Sequence, residues 1–149
     1  MSLCKLTYFN LRALGEPIRM ILAYAKIPFE DVRIERFGAE WPTIKPNLRF
    51  LREFEDPALA QKKYDELNSS FIPLYLNTLD NMVKNNGGYL ACGKLTWVDF
   101  YFTGGSEYYS FLARFNILED YRHLRNLVEK VFALPELKDY LKNRPESEY

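Results

Sequence analysis

Histidine is nearly missing from this chain: of 149 residues only His123 carries an imidazole. That scarcity disfavours metal sites that lean on histidine and catalytic triads that need a placed imidazole as base. Cysteine is scarce as well. Cys4 and Cys92 form no C-x-x-C pair, and a small secreted domain stapled by disulfides would use more. Net charge is absent, since 20 basic residues balance 20 acidic ones. A nucleic-acid binder or a polybasic membrane-surface protein would concentrate Lys and Arg instead. No apolar run is long enough to span a bilayer, and Met1-Ser2-Leu3-Cys4-Lys5 lacks the basic flank and apolar stretch of a signal peptide. A reducing cytosol is the expected location, with no metal, nucleic acid or membrane as partner.

What is present is a core's worth of hydrophobic residues, 48% of the chain, which excludes intrinsic disorder. The length fits one domain or two small ones packed together. Lys5–Phe9 is β-branched and aromatic in the manner of a strand. After a short loop Glu16-Pro17 opens a helix, because proline at the first helical position lacks only an amide that would have no partner there. Ile18, Ile21, Leu22 and Ala25 recur at helical spacing and predict the buried face. Pro28 ends that helix, and the alternating Phe29–Ile34 predicts a second strand. Strand, helix and strand in about thirty residues make a βαβ unit with parallel strands and a right-handed crossover.

From Pro57 onward the pattern is helical. Residues 58–85 read as one or two helices, interrupted around Pro73, and Asn86-Gly87-Gly88 is a stop. Thr96 suits the N-cap of the next helix, with Asp99 placed to complete a capping box. That helix should reach about Arg114. Gly104-Gly105 inside it costs about 1 kcal/mol per glycine, which predicts a bend or a close helix contact. Asp120–Leu134 and Pro135–Lys142 predict two more helices.

Three stretches, taken in order, resemble sigma-class glutathione transferases of the insect type. They are Lys5–Asn10 followed by Gly15-Glu16-Pro17-Ile18-Arg19, then Trp41-Pro42-Thr43-Ile44-Lys45-Pro46, then Gly88–Phe100 with its Leu-Thr-x-x-Asp pattern. Leu134-Pro135-Glu136-Leu137 and Arg144-Pro145 match the family's ending, and vertebrate haematopoietic prostaglandin D synthase is a more distant relative. The resemblance implies a thioredoxin-like α/β part over residues 1–50, here shortened to βαβ, and an all-helical domain over residues 51–149. It also implies a homodimer that conjugates glutathione, as co-substrate, to small hydrophobic electrophiles or reduces peroxides.

Tyr8 is the expected catalytic residue. A phenolic hydrogen aimed at the glutathione sulfur stabilises the thiolate, which is the nucleophile. Tyrosine donates that hydrogen while remaining neutral itself. Trp41 and Lys45, four residues apart, would share a face on a helical turn; indole N–H and ammonium both donate, and the resemblance assigns them to the glycine carboxylate of glutathione. The electrophile pocket is expected from Arg12 and Leu14 after the first strand and from Tyr101, Tyr108 and Phe111 on a helix. Thr96 and Asp99 belong to folding.

The family's Gly-x-x-Pro-Val-Leu segment, its next two strands and its Gln-Ser or Glu-Ser pair have no counterpart after Phe50. The backbone pairing and the γ-glutamyl contact they supply cannot be mapped here. A second reading therefore stands beside the first: a non-catalytic glutathione-transferase-like protein used for binding or assembly. Two strands and one helix also leave sheet edges open, so the N-terminal part is expected to be loosely ordered or completed by dimerisation.

Overall fold

The computed structural model describes residues 4–35 and 57–146. The expected order is realised at the N-terminus: β1 (Cys4–Phe9), α1 (Glu16–Tyr24) and β2 (Phe29–Ile34). The strands are parallel, with Tyr8 opposite Arg33 and Phe9 opposite Ile34. A single 3-10 turn, Ala13–Gly15, leads into α1, and Pro17 sits in its first turn. The helix stops before Pro28: Lys26 adopts φ +53° and donates its amide to the Ala23 carbonyl. That left-handed residue closes the helix and turns the chain back toward β2.

The buried face of α1 differs from the apolar stripe. Ile18 is 46% exposed, whereas Glu16, Pro17, Arg19 and Met20 are buried. Apolar spacing misjudged the face because two charged residues go inside. Each finds an opposite charge there, which is the condition for burying charge at all.

The helical part comprises α2 (Pro57–Glu66), α3 (Ile72–Asn85), α4 (Trp97–Ala113), α5 (Arg122–Phe132) and α6 (Lys138–Asn143). The interruption near Pro73 is real but lies one turn earlier, as a π-helical stretch over Leu67–Phe71. Pro73 has no amide to give the Ser69 carbonyl, and its ring opposes that carbonyl. The widened turn relieves both, with the Ile72 amide donating to Leu67 five residues back. Asp99 accepts from the Thr96 amide at 2.7 Å and hydroxyl at 3.0 Å, so the expected cap forms. Its other oxygen accepts from the Leu90 amide at 2.8 Å, tying the preceding loop to the helix start.

Of the two expectations for Gly104-Gly105, the close contact is what forms. A Cβ at Gly104 would lie 2.8 Å from the backbone nitrogen of Pro17, so only glycine lets α4 approach the start of α1 this closely. The core collects around α4: Met20 from α1, Leu76 and Val83 from α3, Phe100 and Phe102 from α4, and Leu124, Leu127 and Val131 from α5. None of the described helices is long and apolar enough to cross a membrane.

Candidate functional site

Tyr8 stands near the C-terminal end of β1, where the chain turns toward the first turn of α1. Ligands of open α/β sheets gather at such places. The phenol ring is half-buried and lies against Gly15, where an added Cβ would come within 2.6 Å of Tyr8 Cδ1. Glycine at the entry to α1 is therefore what makes room for the ring. Phe9 meets it edge-on at 5.7 Å between centroids, and the Arg19 guanidinium carbon sits 5.9 Å from its centre. That is the outer reach of a cation–π contact.

Arg19 belongs to a chain of alternating charges that runs from Arg12 to Arg33. Arg12 Nη1 donates to Glu107 of α4 at 2.6 Å, and Glu107 lies 3.6 Å from Arg144. Arg144 donates to Glu16 at 2.8 Å, and Glu16 lies 3.7 Å from Arg19. Arg19 Nε donates to both carboxylate oxygens of Asp31 at 3.1 Å, and Arg33 Nε donates to the same group at 2.8 Å. Arg19 Nη1 also donates to the Leu11 carbonyl at 2.8 Å, holding the loop that follows β1. Tyr140 completes the set by donating to Glu16 at 2.9 Å, and burial together with the Glu16 charge raises its pKa above the usual phenol value. Among the described residues, four arginines thus alternate with three carboxylates in this chain. Two donors in the set, Arg12 Nε and Arg19 Nη2, are buried with no hydrogen-bond partner among the described residues.

The remaining expected site residues divide. Arg12 is drawn to α4 through Glu107, the residue before Tyr108, while Leu14 is 46% exposed and Phe111 52% exposed. Tyr101 lines a cavity between α3 and α4, together with Tyr109. Trp41 and Lys45 lie outside the described residues, as does the expected boundary at residue 50. Among the described residues no group of three or more His, Cys, Asp and Glu is placed to hold a metal.

Residues 43–144, well over half of the chain, match the model of a family described as "Glutathione S-transferase, C-terminal domain". This chain belongs to the glutathione S-transferase family. It is 32% identical to a glutathione S-transferase of Anopheles gambiae over 200 positions, which cover 97% of this chain and 98% of the mosquito protein. Glutathione S-transferase S1 of Drosophila melanogaster is also 32% identical, over 96% of this chain and 79% of its own length. Among solved structures, prostaglandin synthase D of Nilaparvata lugens superposes with a TM-score of 0.81 at 31% identity, covering 96% of this chain and 98% of that one. The insect sigma-type resemblance therefore holds over nearly the whole length. So does the shortening: the 200 aligned positions exceed the 149 residues by 51, and coverage of both proteins is nearly complete. The mosquito glutathione transferase thus carries at least 51 internal positions that this one lacks.

Reasoning from sequence missed Glu16, Arg19, Glu107 and Arg144 as parts of the site. Glu16 and Arg19 stand three apart on a helix, the spacing of an ion pair, but surface pairs share that spacing. Nothing local marks Glu107 or Arg144 as their partners.

Proposed function

We propose that this protein is a glutathione transferase in which Tyr8 activates the thiol of glutathione and Trp41 and Lys45 hold its glycine carboxylate. The observation that carries this reading is the seating of Tyr8 against Gly15 at the entry to α1, with the Arg19 guanidinium 5.9 Å from the ring centre. A phenol there donates a charge-assisted hydrogen bond to a thiolate and lowers the thiol pKa. The sulfur then supplies the electron pair of the new bond to the electrophile, the leaving group departs with its own pair, and the thiol proton passes to water. Arg12, Leu14, Tyr101, Tyr108 and Phe111 border the electrophile in this reading. The exposed free thiols of Cys4 and Cys92 suit a reducing cytosol, and a second copy of the chain is the proposed partner for the sheet's open side.

Calorimetry with glutathione, paired with chlorodinitrobenzene conjugation by wild type and Tyr8→Phe, tests the assignment. Glutathione should still bind the variant, while kcat/KM falls roughly 10- to 100-fold, as expected for losing one hydrogen bond to a charged group. No binding heat, together with rates equal to the uncatalysed background for both proteins, would remove the enzyme reading.

A further inference from the structure

A recess of about 300 Å³ lies between the last turn of α3, the loop that follows it and α5. His123, Asn126 and Lys130 recur along α5 at steps of three and four, so they share one face of that helix. Lys84 borders the same space from α3. Val83 and Leu127, both buried, form an apolar floor. Gly88 closes the recess. Its φ of +86° is left-handed, and an added Cβ would come within 2.8 Å of Lys130 Nζ, so glycine both makes the turn and leaves room for the ammonium. Lys130 donates to the Gly88 carbonyl at 3.3 Å and lies 4.2 Å from the centre of the Tyr89 ring.

Elsewhere the cations that bridge elements meet acids: Arg12 meets Glu107, Arg19 meets Asp31, and Arg144 meets Glu16. This recess breaks that pattern. Among the described residues two lysines, a histidine and an asparagine border it, and no acid does. Asp80, one turn before Lys84, directs its Oδ1 to the His123 and Leu124 amides instead. Lys84 and Lys130 stand in the last turns of their helices, where they also complement the helix dipoles. That role does not account for His123 and Asn126 bordering the same space.

We propose that this recess binds a small soluble phosphomonoester, with Lys84, His123, Asn126 and Lys130 around the phosphate and Val83 and Leu127 against its carbon end. Charge selects the class. A phosphomonoester carries about −1.5 to −2 at neutral pH, which matches two ammoniums, whereas a monocarboxylate leaves one of them unmet. Donor number agrees, since ammonium and carboxamide N–H groups suit the three acceptor oxygens of the phosphate. The volume lies at the lower end of the range of about 300–1,000 Å³ typical of small-molecule sites, which limits the ligand to the headgroup and a short body. None of these residues belongs to the surroundings of Tyr8 or to the charge chain that includes Arg19. Binding here is therefore independent of glutathione.

Calorimetric titration of the full chain with phenyl phosphate, at neutral pH and low salt, tests the proposal. Saturable binding of one ligand per chain is expected, unchanged by saturating glutathione. Lys84→Gln and Lys130→Gln alter exposed positions. Each should keep wild-type circular dichroism and weaken binding at least about tenfold, through loss of a charge-assisted contact. Lys84→Arg should retain most of the affinity, and Lys62→Gln, on α2, should retain all of it. Benzoate should bind at least about tenfold more weakly than phenyl phosphate, because it carries half the charge. Absence of saturable heat overturns the proposal, as does undiminished affinity in both glutamine variants, equal binding of benzoate, or displacement by glutathione. Sedimentation with phosphatidic acid vesicles in the absence of phenyl phosphate binding would also overturn it, by assigning the recess to a lipid surface.

Discussion

Tyr140 donates its phenolic hydrogen to Glu16 across 124 positions of sequence, at 2.9 Å. Burial and the Glu16 charge raise the Tyr140 pKa in the folded protein, with Arg19 and Arg144 offsetting part of the shift. In the unfolded chain the phenol titrates near 10. The stabilisation is therefore complete below pH ~10 and declines as pH rises beyond it, because the unfolded state loses its proton first. Tyr109 acts in the same sense. Urea midpoints at pH 8 and above pH 10 should show that decline in wild type and a shallower one in Tyr140→Phe. At pH 8 that variant should itself be about 1.5–3 kcal/mol less stable, having lost a hydrogen bond to a charged acceptor.

Arg144→Met should be more costly than any substitution of an exposed arginine. It leaves the buried Glu16 carboxylate without its nearest cation, at 2.8 Å. Removing one partner of a buried pair costs about 3–5 kcal/mol. Glu16→Gln in the same background should recover part of the loss, and chemical denaturation of the two variants and the double variant measures the coupling.

Asp80 of α3 caps a helix that is remote in sequence. Its Oδ1 accepts from the amides of His123 and Leu124 at 2.8 and 2.9 Å, at the start of α5. Asp80→Ala should lower stability by about 1–2 kcal/mol, visible as a shifted urea midpoint. Asp80→Asn should lose less, since an amide oxygen still accepts.

Gly15→Ala should separate catalysis from folding. The new methyl would meet the Tyr8 ring at 2.6 Å, and the ring must shift away. The expected result is a fall in kcat/KM and a raised pKa for the bound thiol, with glutathione affinity less affected. Conjugation rates measured across pH provide the check.

Gly104→Ala tests the seam between α1 and α4, where the added carbon meets the Pro17 backbone at 2.8 Å. Backbone cannot rotate aside as a side chain can, so a loss of about 1–3 kcal/mol is expected in thermal and urea unfolding.

Local chemistry was legible from the residues themselves. The strand–helix–strand opening, the Thr96–Asp99 cap and the glycine contact each depend on neighbours within a few positions, or on one residue's special geometry. The Tyr8 assignment needed the surrounding motif, because a tyrosine on a strand has many other uses. What stayed hidden was charge burial. Glu16 and Arg19 look like surface residues until Arg144, Tyr140 and Asp31 are folded around them, and those partners lie 12 to 128 positions away. Aromatic spacing does not say which side of α4 looks toward α1, so the cavity that Tyr101 lines is not readable from it, although Leu67, Phe71 and Tyr75 at four-residue steps trace its rim.

The anchoring of Glu16 by Arg144 also sets an order on synthesis. The first helix emerges from the ribosome well before the guanidinium that neutralises its inward-facing carboxylate, which is made 128 positions later. Until translation reaches that codon, the opening strand and helix have no complete seat, and a nascent chain stalled short of it presents an acid that lacks its nearest cation to the forming interior. Synthesis of Arg144 is thus the step that lets the first helix settle.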